Sequence, residues 1–257
     1  MKKLFNALLL PLVCLPGLAV AAPDLFEAVN KAGYQRMLSQ RIVKTYCQAG
    51  LGISAAASRA QLSAAVNLFE KRLGELKPSA AASPLAKDDL AQLQAQWKHF
   101  KKTATGPVKH ENAMRLLEQG EQVLHIADRL TAHLQDAAAD SYSRLINVAG
   151  RQRMLSQRLA KYYMLRAWSI RSARIDEELD AAANEFDAAL KQLAAAPENT
   201  PEIASELEAV EIQWLWFQAA LAMEGAQSYR VVVADASDAI LNRMDHITRL
   251  YETGAKE

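Results

Sequence analysis

Apolar side chains recur at intervals near 3.6 along almost the whole chain, in a background rich in Ala, Leu, Gln and Glu and poor in alternating β-branched runs. Such a pattern predicts amphipathic helix throughout and no sheet. Gly50-Leu51-Gly52, Lys77-Pro78 and Gly106-Pro107 interrupt it, which places helices at 24–50, 55–77, 86–104 and 108–138. Ala196-Pro197, Thr200-Pro201 and a weaker break between Ile170 and Ile175 place four more at 141–172, 175–195, 200–222 and 225–253. Connections this short make sequential helices antiparallel. The expected fold is therefore all-α, with two tandem up-down-up-down four-helix bundles.

The halves are copies. Gln35-Arg36-Met37-Leu38-Ser39-Gln40-Arg41 recurs unchanged at Gln152-Arg153-Met154-Leu155-Ser156-Gln157-Arg158, an offset of 117 residues, and 12 of the 17 positions from Asn30 to Tyr46 are identical at that offset. Without any insertion, Phe69, Trp97 and Phe100 meet Phe186, Trp214 and Phe217, and Leu124, Asp128 and Thr131 meet Leu241, Asp245 and Thr248. One fixed period means one structural unit used twice. It divides the chain into residues 1–22, a first bundle over 23–140 and a second over 141–257. The repeated aromatics are expected to fill the two cores.

How the bundles are joined stays open at this level. No proline lies between Val108 and Ile170. The fourth helix of the first copy could continue into the second copy as one shared helix, a rod about 90 Å long at 1.5 Å per residue, with the bundles end to end. Alternatively Asp140 or Ser141 caps a new helix and the bundles lie side by side.

Ahead of the repeats stand Met1-Lys2-Lys3, an apolar run from Leu4 to Val20, and the small residues Ala19 to Ala22. This is the plan of a cleaved secretory signal peptide, so a periplasmic location is expected. Losing Lys2 and Lys3 leaves 28 basic residues of the original 30 against 29 acids, a formal charge of −1. That balance argues against a nucleic-acid partner. Only Cys47 remains beyond the leader, which excludes an internal disulfide and suits a small buried side chain.

Wound as a helix, Asn30, Gly33, Arg36, Met37, Gln40, Arg41 and Lys44 fall within about 160° of arc, while Leu38 and Ile42 point the other way. The result is a cationic stripe with glycine in its middle. A helical glycine costs roughly 1 kcal/mol relative to alanine, which makes sense where a backbone or small ligand must come close. Arginine offers a planar fork of donors that matches a planar oxyanion, so two such arginines across a helix seam could clamp one. The plainer alternative is a solvated basic face.

The motif from Asn30 to Arg41, with its second copy from Asn147 to Arg158, resembles the first-helix motif of the PilJ/NarX-type sensor domain. That family supplies the periplasmic part of type IV pilus chemotaxis transducers and of nitrate/nitrite sensor kinases. The resemblance implies a four-helix bundle whose arginine before the methionine binds nitrate between the first helices of a dimer. It thereby assigns Arg36 and Arg153 to the anion, Gly33 and Gly150 to close approach, and Arg41 and Arg158 to electrostatic support. Leu38-Ser39-Gln40 departs from the nitrate-kinase pattern toward the pilus-transducer branch, and the chain ends at Glu257 with no span, kinase or methyl-accepting module.

The five histidines form no i,i+4 pair, and neither a phosphate loop nor a nucleophile elbow is present, so no enzyme, cofactor or metal site is expected. Two functions are expected to compete. One is a periplasmic binding or sensory protein for a small oxyanion, with nitrate or nitrite leading, that acts through a membrane sensor or as a homodimer. The other is a helical interaction module that docks the stripe on a membrane sensor, a pilus or chemotaxis component, or itself, with no small ligand.

Overall fold

The computed structural model describes residues 24–223 and 227–256; the expected signal peptide lies outside them. The first copy consists of α1 (Leu25–Gly50), α2 (Ala55–Glu75), the short α3 (Lys77–Ala80), α4 (Pro84–Ala104) and α5 (His110–Ala138). The second consists of α6 (Ser141–Ala167), α7 (Ala173–Ala194), α8 (Pro201–Ala222) and α9 (Gln227–Gly254). Five helix starts follow side-chain caps. Asp24, Ser83, Asp140, Ser172 and Thr200 each accept a backbone N–H of the first turn, and Pro84 and Pro201 occupy positions where a missing N–H costs nothing.

The equivalent helices α1 and α6 end by one device. Ile53 N–H bonds Gln48 O at 3.0 Å with Gly52 at φ 73°, and Ile170 N–H bonds Leu165 O at 2.9 Å with Ser169 at φ 64°. Glycine makes the first closure readable in the sequence, whereas serine in the left-handed region hides the second, so α6 stops at Ala167 instead of near 172.

The shared rod does not occur. Ala139 adopts φ 51° and Asp140 caps α6 through Tyr142 N–H at 2.8 Å, so the chain turns back after α5. The bundles lie side by side. Helix α1 packs on α2 and α5 of its own copy and as extensively on α6, which in turn packs on α7 and α9. The facing pairs Gly33–Gly150, Arg36–Asn147, Asn30–Arg153 and Gln40–Lys161 show α1 and α6 running parallel about a local twofold axis.

Each bundle keeps its own aromatic centre. Phe69 stacks on Trp97 with ring centroids 3.9 Å apart and Phe186 lies tilted against Trp214 at 4.3 Å, with Phe100 and Phe217 edge-on to the tryptophans. Cys47 is fully buried, and burial pushes its thiol up to about 12. No described helix is long and apolar enough to cross a membrane.

Candidate functional site

Because α1 and α6 have neighbours on nearly every side, the cationic stripe is interior. Arg36 and Lys44 on α1, and Arg153 and Lys161 on α6, are no more than 1% exposed. A solvated basic face is thereby excluded, and so is a stripe free to meet an outside protein; the surface it meets is the other copy.

At the axis, a Cβ built on Gly33 would lie 3.3 Å from Arg153 Nη2, 3.5 Å from Arg36 Nη2 and 4.0 Å from Gly150 Cα. One built on Gly150 would lie 3.0 Å and 3.4 Å from the same two nitrogens. Both guanidiniums thus fill the space that the two missing side chains leave. Each is held by the same repeated set. Arg36 donates through Nη1 to Asp128 at 2.8 Å and through Nη2 to the carbonyl of Asn147 at 3.1 Å. Arg153 donates through Nη1 to Asp245 at 2.6 Å and through Nη2 to the side-chain oxygen of Asn30 at 2.8 Å. The Nε–H of both arginines is buried with no partner among the described residues.

Like charges placed this close repel, and burial penalises them further. Burial above all, with Arg151 and Arg153 adding to it, lowers Arg36 to about 10 although Asp128 opposes the shift. The aspartates respond in the other sense. Burial alone would raise Asp128 and Asp245, but Arg36 and Arg151 on one and Arg153 on the other hold both below the usual carboxylate range. The two halves of the arginine pair are not identical: Tyr34 donates its hydroxyl to Asp245 and lies under Arg153, 4.3 Å from Cζ to ring centroid, whereas its counterpart Arg151 pairs with Asp128 and Glu185.

About two turns further along lies a second charged layer that ties one copy to the other. Lys44 bonds Asp238 of α9 at 2.7 Å, and Lys161 bonds Glu121 of α5 at 2.5 Å and Gln40 at 2.6 Å. Burial, only partly offset by these carboxylates, lowers both lysines to about 8. Arg41 and Arg158 belong here: Arg41 reaches Asp238 at 3.3 Å, and Arg158 reaches Glu121 at 2.9 Å and Glu178 at 2.6 Å.

The structure therefore gathers Arg36, Arg153, Gly33 and Gly150 at one point and places Arg41 and Arg158 along the seam. Asp128 and Asp245, the partners of the arginines, are matched in the repeat alignment, but nothing local in the sequence ties either to its arginine. Nor does the sequence mark Asn30 and Asn147 for a role across the seam.

The model of the family described as the type IV pili methyl-accepting chemotaxis transducer N-terminal domain, PilJ, matches twice, over residues 26–132 and 134–240. The chain belongs to this family. The two matches correspond to the two repeats, and PilJ domains are of sensory type. No curated protein and no solved structure matches the chain. In its duplicated PilJ arrangement, one polypeptide carries both first helices of the seam. Among the described residues no group of three or more His, Cys, Asp or Glu side chains is arranged to hold a metal ion.

Proposed function

We propose that the protein is an exported sensory or binding module for a small planar oxyanion, with nitrate or nitrite as the leading ligand, seated between Arg36 and Arg153. One observation carries this reading: two buried guanidiniums converge on a glycine–glycine contact, and each keeps an unpartnered Nε–H. An oxyanion between them would offset their mutual repulsion and give those N–H groups acceptors, in competition with Asp128 and Asp245. Gly33 and Gly150 let the two helices and both guanidiniums come this close, while Arg41 and Arg158 add positive potential along the seam.

In this reading the tandem copies replace a homodimer, so one chain binds one anion and passes the change in the seam to a membrane-bound partner. Export would follow from residues 1–22 acting as a signal peptide. The test is calorimetric titration of the mature chain with nitrate, nitrite and chloride at low salt. Saturable heat at one anion per chain is expected, lost in Arg36→Ala/Arg153→Ala that remains helical by circular dichroism. Retained affinity in that variant would remove the assignment.

A second reading, an interaction module without a small ligand that docks on a membrane sensor or a pilus or chemotaxis component, is favoured by one feature. Helix α8 leaves Ile212, Leu215 and Trp216 between 59% and 74% exposed, where the first copy has Ala95, Lys98 and His99. It predicts silence with all three anions.

A further inference from the structure

A cavity of about 410 Å³ lies between α5 of the first copy and α6 and α7 of the second, away from the arginine pair. That volume falls within the usual range for small-molecule sites. Met114, Leu117 and Ile175 give it an apolar side, while Glu118 and Arg174 bring one charge of each sign beside Glu121 and Glu178, which are paired with Lys161 and Arg158. Neither Glu118 nor Arg174 has an ion-pair partner among the described residues, which separates them from the paired charges of the seam.

Tyr162 adds a more specific feature. It lines the cavity, is 2% exposed, and its hydroxyl has no hydrogen-bond partner among the described residues. That hydroxyl is not among the sealed, unpartnered polar atoms, so it reaches the cavity surface, where a ligand acceptor can replace water on it. Burial first, then Glu121 and Glu178, hold the phenol well above its ordinary value, so it stays a donor. Lys161 packs against its ring, with Nζ 3.8 Å from the centroid.

The cavity also opens at the start of α7, where Ser172 caps the helix. A 22-residue helix presents partial positive charge and free N–H groups at that end, which favours a carboxylate beside Arg174. The duplicate serves as an internal control. At the equivalent positions the first copy has Thr45 and Ala57, and Thr45 spends its hydroxyl on the carbonyl of Arg41 at 2.8 Å. The shared fold therefore requires neither Tyr162 nor Arg174.

We propose that this cavity binds a small zwitterion with an apolar side chain, of the α-amino acid class. The carboxylate meets Arg174, the α7 N-terminus and the Tyr162 hydroxyl, the ammonium faces Glu118, and the side chain rests on Met114, Leu117 and Ile175. Such a ligand touches both copies. Glu121, which also lines the cavity, is the carboxylate that holds Lys161 on the seam.

The test is calorimetric titration of the full mature chain with L-leucine, L-isoleucine, L-valine, L-methionine and L-phenylalanine. Two charge-deleted analogues of leucine, 4-methylpentanoate and 3-methylbutylamine, are titrated beside them. Saturable binding of at least one amino acid is expected, with the matching analogues at least tenfold weaker. Glu118→Gln and Arg174→Ala, both surface changes that leave the circular dichroism unaltered, should each weaken it tenfold or more, and Tyr162→Phe by a smaller factor. Silence with all five amino acids overturns the proposal, as does unchanged affinity in Glu118→Gln and Arg174→Ala. An amine that binds as well as the amino acid overturns the zwitterion class. None of these variants lies at the arginine pair, so failure of the oxyanion reading leaves this result separately readable.

Discussion

Gly33 faces Gly150 across the α1–α6 seam so closely that a Cβ on the first would stand 4.0 Å from the backbone of the second. Two copies of one bundle can meet this tightly only because neither first helix carries a side chain there. The vacated space is taken by the guanidinium ends of Arg36 and Arg153.

Gly150→Ala should therefore separate stability from binding. The substitution gains about 1 kcal/mol of helix propensity, but its Cβ would crowd Arg153 Nη2 at 3.0 Å and Arg36 Nη2 at 3.4 Å. Thermal unfolding is expected to stay within about 1 kcal/mol of the parent, since flexible side-chain ends can yield. Nitrate affinity should fall tenfold or more, and an unchanged affinity would place the anion elsewhere.

Asp245→Ala should cost far more than its partly exposed position suggests. It leaves Arg153, which is fully buried, without its carboxylate. Stranding a buried charge typically costs about 3–5 kcal/mol, whereas replacing both partners by apolar groups can be nearly neutral. Urea unfolding of Asp245→Ala, and of Arg153→Met/Asp245→Leu, should show a large loss and then substantial recovery. Equal losses in the two variants would mean that packing, not charge, governs the site.

Acid should loosen the seam before the aromatic cores. Asp128, Asp238, Asp245 and Glu121 are each pushed up by burial, yet nearby Arg and Lys side chains bring them below their ordinary values. A carboxylate with a depressed folded-state pKa contributes stability that is complete above its unfolded value and is lost as pH falls through the folded one. Thermal midpoints should thus be flat from pH 7 to about 5 and drop below about 4. Near-ultraviolet signals of Tyr34 should change before those of Trp97 and Trp214; simultaneous change would argue for one cooperative unit.

Gly50→Ala should destabilise through a contact between the copies. A Cβ at Gly50 would overlap the indole of Trp168, which closes α6 and packs on Tyr46 and His110 with ring centroids 6.2 Å and 5.4 Å apart. Overpacking of this kind costs about 1–3 kcal/mol. Denaturant unfolding checks it, and Gly74→Ala, where a Cβ meets nothing within 4 Å, is the matched control with no loss expected.

Much of the protein was legible before any coordinates. Helical periodicity, proline and glycine breaks and the 117-residue offset are local or self-referential signals, and together they determine eight long helices, two copies and the residues of the repeated stripe. Asp128 and Asp245 were visible only as a matched pair, because an acid 92 residues from its arginine has no local periodicity to connect the two. The burial of Lys44 and Lys161 was likewise hidden: a stripe of charges on a single helix reads the same whether water or another helix faces it.

The tertiary structure alone decided which. Whether α5 runs on into α6 turns on the backbone of Ala139, a residue type with no preference for the left-handed region it adopts. The reversal is selected by what it buries: the glycine contact, the two guanidiniums with their aspartates and the lysine layer form only when α1 and α6 lie side by side. Sequence determines helices because the helical hydrogen bond spans four residues. Their pairing was settled by long-range burial and charge compensation, which no short stretch of sequence contains.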